Sequence, residues 1–121
     1  EATECAAELG GSPGSEARNE AFWNYLDRLF EVTPANNGLD PAELPRIAEY
    51  VGLNRSQFEA CLASGRHASR VQKDLEDAIA AGADGTPYSI VITAAGNTYP
   101  FSGALPYEAV KTIIDGVLAA E

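Results

Sequence analysis

The chain has 121 residues, of which 45% are hydrophobic and 21% are charged, which is the composition of an ordinary globular protein with one core. The net charge is −10 and the eight Lys and Arg residues are scattered, so a nucleic-acid partner, which needs clustered cations, is not expected. No apolar run approaches the ~20 residues of a membrane span, and no signal-peptide pattern opens the chain. Because Met is absent throughout, we expect the chain as given to be a processed or trimmed product.

The N-terminal third predicts two helices. A short helix is expected at residues 1–9, followed by a flexible connector rich in Gly, Ser and Pro at 10–19. Apolar spacing predicts a second helix at about 20–31, and a loop at 32–39 follows it. The apolar stripe of this second helix consists of Phe22, Leu26, Leu29 and Phe30, with Trp23 packing beside it.

The next helix has a well-formed start. Asp40 is the expected N-cap and Pro41 occupies the first helical position. We expect Pro45 to lie deep enough in this helix to cost one backbone hydrogen bond.

Two more helices precede the strands. Asn54 and Gln57 form a cap pair for a helix at about 55–64, which Gly65 terminates. A longer helix is expected at about 67–81. One face of this helix consists of Val71, Leu75, Ala78 and Ile79, and Gly82 ends it.

The period then changes to that of a β-hairpin. Strands are expected at 88–93 and 98–102 around a turn at 95–97, and Pro100 indicates that the second strand is an edge strand or contains a bulge. An amphipathic helix is expected at about 106–120. Its apolar side consists of Tyr107, Val110, Ile113, Ile114, Val117 and Leu118. A hairpin with one covering helix is marginal by itself, so the chain carries what looks like half of a sheet.

The two cysteines, Cys5 and Cys61, lie 56 positions apart, a spacing that fits no zinc pattern, and His67 is the single histidine, so no metal site is expected. The residues alone leave two alternatives for the cysteines: a disulfide, compatible with an oxidising compartment, or two buried free thiols. We expect His67 to be a surface residue without a catalytic role.

Five segments, in this order, carry a resemblance to the DsbA-like family of the thioredoxin superfamily. They are residues 4–8 (ECAAE), 22–30 (FWNYLDRLF), 58–65 (FEACLASG), 81–87 (AGADGTP) and 103–108 (GALPYE). Kappa-class glutathione transferases and hydroxychromene-carboxylate isomerases share the same inserted architecture, but no segment favours either of them.

The resemblance implies an α+β, thioredoxin-like fold of the DsbA type. Residues 1–84 would form the helical insertion domain, and residues 85–121 the C-terminal ββα part of an incomplete thioredoxin-like domain. It further implies a structural disulfide between Cys5 and Cys61, an extracytoplasmic location, and thiol–disulfide oxidoreductase activity in the complete protein.

The same resemblance assigns substrate binding to Thr86 and Pro87. A cis bond between them would turn the backbone of Thr86 outward, where it could pair with an extended or unfolded peptide. The alternative is an ordinary proline at the entry of a strand. Tyr88, Tyr99 and Phe101 are expected to be core residues more than the lining of a peptide groove. The acidic residues Asp74, Glu76 and Asp77 are expected to form a solvated helix face.

The sequence departs from the family at its catalytic motif, because it contains no Cys-x-x-Cys. We therefore expect the chain to be redox-inactive alone, and the alternative function is a non-catalytic peptide- or protein-binding module. No Gly-rich phosphate loop or Ser-centred nucleophile motif is present, and no cofactor is expected. A second copy or a second chain is expected to complete the sheet.

Overall fold

The secondary structure is a mixture of helices and one small sheet, seen in a computed structural model that describes residues 1–34 and 38–120. The helices are α1 (Ala2–Gly10), α2 (Glu16–Val32), α3 (Leu44–Tyr50), α4 (Arg55–Ser64), α5 (Ala68–Ala80) and α6 (Tyr107–Ala119). A 3₁₀ turn, Pro41–Glu43, precedes α3, and the strands are β1 (Tyr88–Ile92) and β2 (Thr98–Ser102). The expected α+β class is confirmed.

Contacts between Cα atoms divide the chain into two units, Glu1–Gln72 and Lys73–Glu121. The division falls within α5. The expected domain boundary between residues 84 and 85 stays a prediction.

The core of the first unit forms around two stacked rings. Tyr25 of α2 and Phe58 of α4 are fully buried, with ring centroids 5.2 Å apart. The Tyr25 hydroxyl donates to the Leu44 carbonyl oxygen at 3.1 Å, so its polar end is satisfied. The other buried members of this cluster are Cys5, Ala6, Ile47, Ala48 and Cys61.

The end of α1 and the start of α2 differ from the positions predicted from the sequence. Gly10, expected to begin the connector, is the last residue of α1, and a Cβ atom there would lie 2.2 Å from the Cβ of Ala21. The glycine therefore permits close approach of α1 and α2. The expected connector at 10–19 is shorter than predicted, because Ser15 caps α2 by accepting the Arg18 N–H at 3.2 Å. Part of the expected loop at 32–39, residues 35–37, lies outside the described residues.

The predicted face of α2 is confirmed only in part. The half-buried members of the stripe are Phe22, Leu26 and Leu29, and Leu29 packs against the core cluster. Trp23, expected to pack, is 59% exposed, and Phe30 is 72% exposed. Tyr25, which was not assigned to the stripe but lies on the same side of the helix, is the residue of α2 that is fully buried.

The caps predicted in residues 40–65 are confirmed. Asp40 accepts the Ala42 N–H, and Asn54 accepts the Gln57 N–H, both at 2.9 Å. The expected cost of Pro45 does not arise, since α3 begins at Leu44. Pro45 thus lies in the first turn, where an N–H would have no acceptor within the helix.

The hairpin of the second unit is regular. Strands β1 and β2 pair antiparallel with Tyr88 opposite Ser102 and Ile92 opposite Thr98. Pro100 pairs with Ile90 without a bulge, so the edge-strand interpretation of Pro100 is the one that holds.

The predicted apolar faces of α5 and α6 are largely uncovered. No described residue of α5 is buried, and among those of α6 only Val117 is. The large apolar side chains left exposed on these two helices are Val71, Leu75, Ile79, Tyr107, Ile114 and Leu118. Each of these two helices therefore keeps an apolar face that the described residues leave largely open to solvent.

Candidate functional site

The Thr86–Pro87 corner lies between α5 and β1. Both residues are exposed, and the peptide bond between them is cis. The Pro87 carbonyl oxygen accepts the Gly103 N–H at 2.9 Å, which extends the pairing of β1 with β2 to the edge of the corner. The corner is thus held on its strand side by a backbone hydrogen bond.

The helix side of the corner is held by Tyr88. Gly82 ends α5 with a φ of 94°, and the Ala83 N–H bonds back to the Ala78 carbonyl oxygen at 3.0 Å, the pattern of a Schellman cap. The Tyr88 hydroxyl donates to the Ala81 carbonyl oxygen at 3.0 Å. The sequence analysis did not predict this hydrogen bond. The glycine that follows the predicted helix is the feature of the sequence that indicates where the helix ends.

The backbone of Thr86 is unpaired. Among the residues that the structure describes, neither its N–H nor its C=O makes a hydrogen bond. Strand β1 pairs only with β2, so its second edge is also open within the described part of the chain. An extended peptide could add at such an edge through main-chain hydrogen bonds.

The aromatic residues near this strand are less buried than expected. Tyr88 and Phe101 are half-buried, and Tyr99 is exposed. The expectation that these three side chains form a core is therefore wrong for the chain by itself.

The two cysteines form a disulfide. Cys5 of α1 and Cys61 of α4 are joined, and each residue is 1% exposed. Of the two alternatives that the residues left open, the disulfide is the one present. The bond ties the first helix to the fourth across the core of the first unit.

His67 is not the free surface residue that the sequence suggested. Its side chain is 16% exposed, and its Nε2 atom lies 2.9 Å from Oε2 of Glu8. Arg66 Nε also donates to Glu8 Oε2, at 3.0 Å, and its Nη2 donates to Oε1. The hydrogen bonds from Arg66 hold the pKa of the Glu8 carboxyl below its usual range, with His67 contributing in the same direction.

The predicted acidic face of α5 is exposed as expected. Asp74, Glu76 and Asp77 are all solvent-accessible, and Asp77 pairs with Lys73 at 2.5 Å. These groups form a solvated helix surface.

A cleft of about 640 Å³ between α2 and α3 was not predicted. The Arg28 guanidinium lies 3.9 Å above the centre of the Tyr50 ring and pairs with Glu31 at 2.6 Å. Within this cleft the Arg28 cation is therefore held between an aromatic ring and a carboxylate.

No helix among the described residues has the length and apolar character needed to cross a membrane. This finding agrees with the absence of a membrane-spanning pattern in the sequence.

Comparison with known proteins identifies the family. The family model of the DSBA-like thioredoxin domain matches residues 15–115. A segment of 87 residues is 36% identical to the Na(+)/H(+) antiporter NhaA 3 of Salinispora tropica, and covers 72% of this chain but 11% of the antiporter. No solved structure gives a significant match. The chain, with its α+β fold, belongs to the DSBA-like thioredoxin domain family.

Proposed function

We propose that the chain is the C-terminal portion of a DsbA-like thiol–disulfide oxidoreductase, whose Thr86–Pro87 corner holds an extended or unfolded substrate peptide. The family match over residues 15–115 carries this proposal. In the complete enzyme, a thiolate attacks a disulfide sulfur, the S–S bond breaks to release the other sulfur as a thiolate, and a mixed disulfide joins the substrate to the Cys-x-x-Cys. The corner keeps the substrate backbone in place during that exchange.

The geometry of the corner supports a role in peptide binding. Thr86 offers one donor and one acceptor that no described residue uses, and both corner residues face solvent. Recognition through main-chain groups requires no particular substrate side chain, which suits an enzyme that acts on many unfolded proteins.

The redox cysteines belong to a segment other than these 121 residues. Cys5 and Cys61 are consumed by a buried disulfide, and no Cys-x-x-Cys occurs in the sequence. The chain alone therefore has no thiolate for attack and is redox-inactive. Because a stable disulfide favours an oxidising compartment, the protein works outside the cytoplasm.

The exposed apolar surface of the second unit supports a partner that completes the sheet. Ile92 of β1 is 68% exposed and Leu118 of α6 is 67% exposed. A second copy of the chain, or the chain segment that carries the redox cysteines, covers this surface. Light scattering coupled to size-exclusion chromatography tests for self-association, and a monodisperse monomer would exclude the second copy.

Peptide binding at the corner is tested by NMR titration of the ¹⁵N-labelled chain with an unfolded, cysteine-free peptide. We expect the largest amide shifts at Gly85, Thr86 and Tyr88. Thr86→Pro removes the free N–H and should weaken binding on the order of tenfold, since a peptide carbonyl loses its donor. Thr86→Val keeps the backbone donor and should bind as the wild type does. Equal binding by both variants would rule out the backbone contact.

Redox inactivity is tested by insulin reduction with dithiothreitol as electron donor. The purified chain should add nothing to the uncatalysed rate. Clear turnover by the chain would refute the assignment of the redox cysteines to another segment.

A second candidate function is a non-catalytic module that binds a peptide or a partner protein through the same corner. The lack of a Cys-x-x-Cys in these 121 residues favours it. The coding sequence upstream of Glu1 discriminates between the two candidates. An in-frame Cys-x-x-Cys preceded by a signal sequence supports the oxidoreductase, whereas a start codon just before Glu1 supports the binding module.

A further inference from the structure

The disulfide has a histidine directly beside it. One ring nitrogen of His67 and the Sγ atoms of Cys5 and Cys61 all lie within 4.8 Å of one another. Glu8, one helical turn after Cys5 on α1, lies 2.9 Å from Nε2 of His67. Three separate segments, namely α1, α4 and the turn before α5, therefore bring two sulfurs, an imidazole and a carboxylate to one place.

These donors match the preferences of zinc. Zn²⁺ binds thiolate at about 2.3 Å and imidazole nitrogen at about 2.0–2.1 Å, so donors around a tetrahedral ion are separated by roughly 3.6–3.8 Å. Donors already within 4.8 Å of one another need shifts of only about 1 Å, apart from the opening of the S–S bond. Since Nε2 contacts the Glu8 carboxylate, the site requires Nδ1 as the nitrogen for the metal, and a carboxylate on the other ring nitrogen is the usual way in which a zinc-bound histidine is oriented.

We propose that Cys5, Cys61 and His67 form a Zn²⁺ site when the disulfide is reduced, with Glu8 as the residue that positions the imidazole. The disulfide closes this site, and reduction opens it. The proposal does not depend on the function proposed for the Thr86–Pro87 corner.

The sequence hides this site because its ligands are far apart in the chain. The cysteines are separated by 56 positions, and no short pattern of ligands signals zinc. Each cysteine residue is 1% exposed, whereas His67 borders solvent, so the site is open to solvent on the side of His67. Water can supply the fourth ligand from the side of His67.

A phosphine supplies the two electrons that reduction of the disulfide requires. The phosphine takes oxygen from water and becomes its oxide, while the S–S bond breaks and accepts two electrons and two protons to give two thiols. Binding of Zn²⁺ to the two thiolates then releases two protons to solvent.

The test uses the full chain reduced with a phosphine, desalted without oxygen and titrated with Zn²⁺ against a chromophoric chelator. We expect one Zn²⁺ per reduced chain, none per oxidised chain, and a higher Tm of the reduced chain with zinc present. Co²⁺ in place of zinc should give intense visible bands of a tetrahedral site and thiolate charge-transfer absorption.

Three variants separate the roles of the residues. Glu8→Gln should lower zinc affinity by about 10-fold or more through the orientation of His67, and His67→Gln should lower it further. Glu59→Gln, which removes another surface carboxylate that pairs with an arginine, is the matched control and should change nothing.

Several results would overturn the site. They are the absence of zinc binding by the reduced wild type, equal affinity in His67→Gln, or equal binding by the oxidised chain. If the reduced chain unfolds without metal, added Zn²⁺ must restore its helical circular dichroism. Failure to do so would equally reject the proposal, because unfolded chains can bind zinc through cysteine without forming this site.

Discussion

Removal of the Cys5–Cys61 bond should take away a large part of the stability of the folded chain. The bond closes a loop with a sequence separation of 56 residues. The loss of loop-closure entropy in the unfolded chain then corresponds to about 4 kcal/mol at 25 °C. A domain of this size has a free energy of unfolding of about 5–15 kcal/mol, so the change is easily measured.

Two perturbations separate the cross-link from the packing of the sulfur atoms. Reduced wild type loses the bond but keeps both buried side chains, whereas Cys5→Ala/Cys61→Ala also loses two buried sulfur atoms. The double variant should therefore be less stable than the reduced wild type, which is in turn less stable than the oxidised chain. The urea m-value should rise in both, because an uncrosslinked unfolded chain exposes more surface.

The assay is urea unfolding followed by circular dichroism at 222 nm, with EDTA present so that no metal binds the reduced thiols. Oxidised and reduced wild type should differ by about 4 kcal/mol in the free energy of unfolding. A difference below about 1 kcal/mol, with an unchanged m-value, would show that the cross-link does not act through the unfolded chain.

Three further substitutions test individual contacts by the same assay. Tyr25→Phe should cost about 1–3 kcal/mol, since the Leu44 carbonyl oxygen loses its donor. Burial raises the pKa of the Tyr25 phenol, so above about pH 10 the tyrosine ionises in the unfolded chain but not in the folded one. The stability difference between the wild type and Tyr25→Phe should therefore shrink above that pH, and a constant difference at all pH values would contradict this. Gly10→Ala should be destabilising overall, because the clash of its Cβ with Ala21 should outweigh the ~1 kcal/mol by which alanine normally favours a helix over glycine. A more stable variant would show that the two helices can separate at no cost. Asn54→Ala should cost about 1 kcal/mol through loss of the cap of α4, and an unchanged midpoint would exclude that role.

The features that the sequence predicted correctly are those with local causes. Asp40 and Asn54 cap helices through hydrogen bonds that span two or three residues, so the residue types alone identify them. The hairpin follows from alternation and a glycine-containing turn, and Gly65 ends α4 with a φ of 60°.

The features that it missed depend on distant partners. Tyr25 lies three residues after Phe22 and four before Leu29, so periodicity places it on the half-buried side of α2, but it does not reveal that Phe58 of another helix stacks on it. His67 finds Glu8 across 59 positions, so nothing near His67 in the sequence indicates its environment. Periodicity identified the apolar faces of α5 and α6, but it shows only that these side chains are apolar and not whether this chain covers them.

Buried side chains are concentrated in the first unit, so the second unit should open locally more often than the first. Eight of the nine buried hydrophobic side chains in the described residues lie in Glu1–Gln72, and the ninth is Val117. Amide hydrogen exchange should therefore show two levels of protection, with the amides of β1, β2 and α6 exchanging while the first four helices stay closed. Reduction of the disulfide should speed exchange in the first four helices and leave the amides of the hairpin unchanged.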